Sequence, residues 1–329
     1  MVAHEITRHA DVQLVLADPR FGVAPPGVTN DSLFQDGPGH TRLRRLVARA
    51  FTARHVQSLR PRVEAIATRL ARDLTGPPAD LVAEFARPLP LTVICELLGV
   101  PDREQFGAWA NEVVGLTGQP VAAWDSLRGY LAELVTAKRA APQDDLLSAL
   151  VSIRDSADGR LSDDELITMA IALLMGGYLT TANALSIGML TLGELSTVDT
   201  GTVEEILRLQ SGRNGEAMPR YAHVDVELHG RHIAAGEQVV ARIGAANRDP
   251  DRFDDPDTFR ADRTPNPHLA FGHGPHHCLG AALARLELDV ALRTLARERP
   301  GLRLAEPAAG IVWTEHLLDN GPERLPVTW

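Results

Sequence analysis

Residues His268–Gly280 read HLAFGHGPHHCLG, and this stretch decides the fold. Thirteen residues hold three glycines (Gly272, Gly274 and Gly280), four histidines (His268, His273, His276 and His277) and a single cysteine, Cys278. They end where an amphipathic pattern begins, AALARLELDVALRTLARERPG, a predicted helix stopped by Pro300-Gly301. A cysteine at a helix start meets unpaired backbone N–H groups and the positive end of the helix dipole, and both favour thiolate over thiol. That is the state an anionic metal ligand needs. The glycines let the backbone turn tightly and approach a flat ligand closely. A zinc site built from His273, His276, His277 and Cys278 is the competing reading. Four ligands within six residues suit zinc poorly, because structural zinc sites join two separated ligand pairs. The other cysteine, Cys95 in VICELLG, reads as an ordinary buried thiol.

Outward from the loop, residues 248–267 form an irregular Asp- and Pro-rich meander. Before it, residues 219–245 alternate short Val/Ile runs with His-Gly and Ala-Gly-Glu turns, which predicts a small β region. The first two thirds are helical in pattern. Helices are predicted at ADVQLVLA, closed by Asp18-Pro19, through HTRLRRLVARAFTARHVQSLRPRVEAIATRLARDL, at LPLTVICELL and at WDSLRGYLAELVTAKRAA. Leu166–Gly193 lacks charge and is long enough to span a bilayer. It lies mid-chain, carries Gly176-Gly177, Thr180-Thr181 and Asn183, and has no flanking Lys/Arg cluster, so it reads as a buried core helix. Ser162 and Glu165 supply a capping box at its start.

The 329 residues, 44% hydrophobic and 23% charged, suffice for a large core. A formal charge of -10 argues against nucleic acid as a partner, and two distant cysteines point to a reducing compartment. The N-terminus has His4, Glu5 and Arg8 where a secretion signal needs an apolar run, so a cytoplasmic protein is expected, with no membrane association. No Rossmann or P-loop glycine motif and no flavin or iron–sulfur motif is recognisable.

FGHGPHHCLG matches the haem-binding pattern of the cytochromes P450, Phe-Gly-x-Gly-x-His-x-Cys-x-Gly, at every position, and the chain resembles a soluble bacterial member from about Ile6 onward. HTRLRR, the uncharged helix, EEILR, RYAHVD and NRDP follow in the family's order. The resemblance implies a single domain over 1–329, mainly α with minor β, N-terminally shortened, with more open cover over the pocket and shortened segments at 22–39 and 183–203. It implies haem b with Cys278 as metal ligand and Phe271 beside the sulfur. Gly272 and Gly280 shape the cofactor-binding loop, and His40, Arg44, Arg220 and His276 bind the haem propionates. Glu205 and Arg208 become a buried pair that supports the loop, while Thr258 stands where a basic residue usually completes the network, which leaves Arg260 or another nearby group as the substitute.

On the oxygen side the resemblance implies a small-residue gap at Gly176-Gly177 and a catalytic threonine, Thr180. The family's acid is replaced by Leu179. A lone helical threonine can instead bond its hydroxyl back to the preceding turn. A monooxygenase or oxidative tailoring enzyme acting on a small or carrier-bound natural product is therefore expected, using dioxygen and electrons from a ferredoxin and its reductase. Leu179 keeps two alternatives open: peroxide use, oxidative coupling, rearrangement or dehydration on the same fold, and a non-catalytic haem-binding protein. Arg42, Arg44, Arg45, Arg49, Arg54, Arg60 and Arg62 make a locally basic segment suited to an acidic partner.

Overall fold

The computed structural model describes residues 3–28, 32–113, 120–154, 161–211, 219–314 and 320–329. Part of the segment read as shortened, 29–31, lies outside them. In chain order the elements begin β1 (Ala3–Ile6), α1 (His9–Ala17), β2 (Phe21–Gly22), α2 (Gly37–Ala48), α3 (Ala53–Ser58) and α4 (Arg60–Asp73). Then come β3 (Ala79–Asp80), α5 (Pro88–Leu98), α6 (Arg103–Val113), α7 (Pro120–Ala140), α8 (Leu146–Arg154), α9 (Asp163–Leu192), β4 (Glu194–Leu195) and α10 (Thr202–Gln210). The chain closes with β5 (Arg220–Ala222), β6 (Val226–Leu228), β7 (Arg231–Ile233), β8 (Gln238–Ala241), α11 (Ile243–Ala246), α12 (Ala281–Glu298), β9 (Leu302–Leu304) and β10 (Pro326–Thr328).

These elements form two compact units. The first comprises Met1–Asn30, Phe34–Thr41 and Val198–Ala281. Its sheet has the order β1-β8-β5-β2, with β1 parallel to β8 and the other pairs antiparallel. Ile6, Val12, Val15, Leu16, Phe21, Val239 and Leu269 belong to its apolar core. The hairpin β6–β7 turns at His229-Gly230, both with positive φ (48° and 74°), as a two-residue type I′ turn demands. The expected β region is thus real, and the sheet recruits β1 and β2 from far upstream.

The second unit comprises Asp31–Leu33, Arg42–Thr197 and Ala282–Trp329. Its axis is α9, which packs on α5, α7 and α8. Ser162 accepts the Glu165 amide while the Glu165 carboxylate accepts the Ser162 amide, the capping box expected there. Glu165 also receives the Arg42 guanidinium. At the other end Gly193 closes the helix with φ 69°. α9 is long and apolar enough to cross a membrane, yet most of its apolar window is buried inside the protein. Leu166, Met169, Leu174, Leu179 and Met189 are completely hidden. A second sheet, β3-β10-β9-β4, and the helices α6 and α8 complete the unit.

Candidate active site

The loop ahead of α12 is fixed by its own backbone. Gly272 N–H donates to Leu269 C=O (2.8 Å), His277 N–H to Gly274 C=O (3.0 Å) and Cys278 N–H to Phe271 C=O (2.8 Å). The last bond ties Phe271 to the cysteine across the turn. Gly272 and Gly274 hold φ near +70°, a region costly for side-chain-bearing residues, and a Cβ on Gly274 would come within 2.7 Å of α1 backbone at Leu16 and Ala17. Gly280 has neither reason to be glycine, since its φ is ordinary and no atom lies within 4 Å of a Cβ built there. Two residues before it, Cys278 is exposed. The cysteine lies three residues ahead of α12 and its carbonyl accepts the Ala281 amide at 3.4 Å, so it sits just outside the helix start.

The histidines of the loop diverge. His268 Nε2 lies 2.9 Å from Glu204, His273 Nε2 3.4 Å from Gln13 and His276 Nε2 3.1 Å from Asp36. Among the described residues no three His, Cys, Asp or Glu side chains converge as a metal site would require. The zinc reading therefore lacks a ligand set. Cys95 is buried, and loss of water pushes its thiol pKa up to about 12. It is inert packing.

A cationic cradle forms in the same unit. The rings of His40 and His276 stack at 4.1 Å between centroids, tilted by 32°, and His40 is buried. Arg220, at the start of β5, is also buried, and burial pulls its pKa below the ordinary arginine value with Asp36 partly opposing the shift. A buried guanidinium that feels the charge of Asp36, itself bonded to His276, is suited to an anion that brings charge into the protein. Arg44 lies one turn beyond His40 on α2 and is half-buried. Sequence reasoning missed Asp36, which no motif marks.

Beneath the loop, Arg208 and Glu205 are fully buried and pair through two bonds, Nη2 to Oε1 at 2.7 Å and Nε to Oε2 at 2.9 Å. Arg208 Nη1 donates to the carbonyls of Asn247 (2.8 Å) and Pro256 (2.6 Å). Glu205 accepts Arg263 Nε, the Arg260 amide and Asn266 Nδ2, each at 3.0 Å. The basic member missing at Thr258 is therefore Arg263, while Arg260 contributes only its backbone. Burial would raise the Glu205 pKa, but these bonds outweigh it and hold the carboxyl below its usual range. Asn247 carries the network to the loop by accepting the Leu269 amide at 2.7 Å.

In the second unit, α9 presents Gly176 and, in part, Gly177 and Thr180 to open space, whereas Leu179 is wholly buried. The two glycines differ in cause. A Cβ on Gly177 would meet Ile94 of α5 at 2.9 Å, but one on Gly176 would touch nothing. Thr180 Oγ1 donates to the Gly176 carbonyl at 2.7 Å, the back-bonded geometry. Its lone pairs remain on the accessible face. Of the arginine-rich segment, Arg42 pairs with Glu165, Arg60 with Asp289 and Arg62 with Glu96, Arg44 is half-buried, Arg45 and Arg54 are exposed, and the side chain of Arg49 lies outside those described.

An exposed cysteine latched in a glycine loop, with open space at Gly280 and buried His40 and Arg220 in the same unit, is the arrangement of a haem-thiolate protein. Known sequences and structures agree. The cytochrome P450 family pattern matches residues 197–298. The mycinamicin IV hydroxylase/epoxidase of Micromonospora griseorubida is 45% identical over 98% of this chain and 89% of that protein. The nocardicin C N-oxygenase of Nocardia uniformis subsp. tsuyamanensis is 43% identical over 98% and 89%. The crystal structure of the P450 hydroxylase from the leinamycin pathway of Streptomyces atroolivaceus superposes with a TM-score of 0.86, at 44% identity, over 99% of this chain and 90% of that one. The chain belongs to the cytochrome P450 family. It is an enzyme of the P450 monooxygenase type, with the fold expected from sequence and the family's cofactor, a haem whose iron carries a thiolate. The residues present fit that group, with Gly280 leaving room for a macrocycle and the cradle supplying donors for its carboxylates.

Proposed function

We propose that residues 1–329 work as a single P450 domain that tailors a small natural product by inserting an oxygen atom, and that the Cys278 thiolate would hold the haem iron. The loop geometry around the exposed Cys278 carries this reading. When bound, the haem supplies dioxygen activation, which thiolate donation favours. Phe271 shields the sulfur, Gly272 and Gly280 admit the ring, and His40, Arg44, Arg220 and His276 meet the propionates. Gly176 and Gly177 leave space on α9 for substrate and oxygen. Thr180 turns its hydroxyl away from Gly176 to place a proton there. The substrate class rests on relatives named for acting on mycinamicin IV and nocardicin C, and it extends to carrier-bound molecules.

Two electrons per turnover come from a ferredoxin and its reductase, for which exposed Arg45 and Arg54 offer positive charge. That pairing, and the presence of only two cysteines far apart in sequence, support a cytoplasmic location. A second reading keeps the fold and changes the chemistry to peroxide use, coupling or rearrangement. The burial of Leu179 favours it, because that position places no carboxylate on the accessible face of α9. Turnover of a natural-product panel with and without ferredoxin, reductase and NADPH decides between them. Products that require the electron chain support oxygen insertion, and turnover with peroxide alone supports the second reading.

A further inference from the structure

Asp36 joins three chain segments of the cationic cradle. Its Oδ2 accepts the amides of Val23 (2.9 Å) and Ala24 (3.4 Å), which follow β2. Its Oδ1 lies 3.1 Å from Nε2 of His276 in the thiolate loop. Asp36 itself directly precedes α2, the helix that carries His40, and its charge acts on buried Arg220. The strand opposite is shaped for it, because a Cβ on Gly22 would lie 2.5 Å from Oδ2 and 2.3 Å from Nε2 of His223. His223 is anchored by the Ala24 carbonyl at 3.0 Å.

A carboxylate in a cradle meant for carboxylates is unfavourable unless it is needed for assembly. Two histidines and a buried arginine repel one another when charged, and a fixed counter-charge lowers that cost. We infer that Asp36 is a positioning residue for the propionate end of the haem, holding His276 and the α2 entry in register and setting the net charge of the cradle. This rests on the haem-thiolate reading above. Removing the charge has a signed consequence, because less negative charge near the iron favours the ferrous state.

The test compares Asp36→Asn and Asp36→Ala holoenzymes with wild type. Release of haem to excess apomyoglobin should accelerate, by roughly tenfold for Asp36→Ala and about threefold for Asp36→Asn, which keeps an acceptor oxygen. Both should raise the ferric/ferrous midpoint potential. The isosteric Asp36→Asn should do so while keeping the red-shifted ferrous–CO band, a shift of potential at intact thiolate ligation that a merely structural residue would not produce. Wild-type release rates and potentials in Asp36→Asn would overturn the inference even if Asp36→Ala fails to fold. The parent reading fails separately: wild type itself would then lack the red-shifted ferrous–CO band.

Discussion

The thiolate loop with its cradle and the glycine face of α9 are both rich in small residues, yet opposite forces hold them. Around the loop, fixed polar partners dominate, from Glu205 and Arg208 through Asn247 to Leu269 and from Asp36 to His276. On α9 the order comes from apolar packing against α5, α7 and α8, and the Thr180 hydroxyl is bonded locally to the Gly176 carbonyl. The loop and cradle are specified by charge, where losing one partner weakens a buried polar network. The glycine face of α9 is specified by volume and tolerates change wherever a Cβ meets nothing.

The largest effect that tests this contrast is at Arg208. Truncation to Ala removes the bidentate partner of buried Glu205 and leaves the Asn247 and Pro256 carbonyls without their donor, and it should cost about 3–5 kcal/mol in urea unfolding, with loss of bound haem, even though Arg263 still pairs with Glu205. A cost below 1 kcal/mol would mean the network is ornamental to the loop. On the apolar side, Leu179→Glu buries a carboxylate and should cost about 2–4 kcal/mol. Restoring the family's acid should therefore destabilise rather than simply repair the proton path. Unchanged stability with raised turnover would show that the side chain reaches the open face.

Two glutamates sharpen the comparison through pH. Glu205 has a depressed pKa, so its contribution is present above the unfolded value near 4.5 and is lost as pH falls through the folded value. Glu287, on α12, is fully buried, its Oε2 has no partner among the described residues, and loss of water raises its pKa to about 8. Its sign is opposite. The Glu287 contribution is intact below about 4.5 and lost as pH climbs toward 8. Glu287→Gln should therefore gain stability over wild type between pH 5 and pH 8, on the order of 1–3 kcal/mol, when unfolding is followed at both values. A difference independent of pH would place an ionised Glu287 in the folded state.

The smallest effects separate the two glycines. Gly177→Ala should lose about 1–2 kcal/mol by crowding Ile94, whereas Gly176→Ala should gain about 0.5–1 kcal/mol of helix stability. If Gly176 exists to leave room above the cofactor, the stabilised variant should still bind substrate more weakly, as read by ligand-induced Soret shifts. Equal binding would remove Gly176 from the site.

The thiolate loop was legible because its signals are local, with glycines, histidines and cysteine at fixed short spacing ahead of a helical pattern. The capping box of α9 and the His229-Gly230 turn were legible for the same reason. What the sequence hid is long-range. Strand β1 pairs with β8 across more than two hundred residues, and the strands of the second sheet are two or three residues long, too short for alternation to register. Arg263 rather than Thr258 or Arg260 completes the Glu205 network because the meander folds back irregularly. Asp36 gains its role only when the chain after β2 and the thiolate loop come together around it. The arginine-rich segment looked uniformly available, yet Arg42, Arg60 and Arg62 are engaged with acidic residues distant in sequence.

Every role proposed above depends on ligation of the haem iron by the Cys278 thiolate. The direct measurement is the ferrous–CO absorption spectrum of the purified holoprotein and of Cys278→Ala reconstituted with haem. Wild type should show the strongly red-shifted Soret band of thiolate ligation, and the variant should lose it while retaining bound haem. A red-shifted band that survives in Cys278→Ala, or none in wild type, would contradict the account.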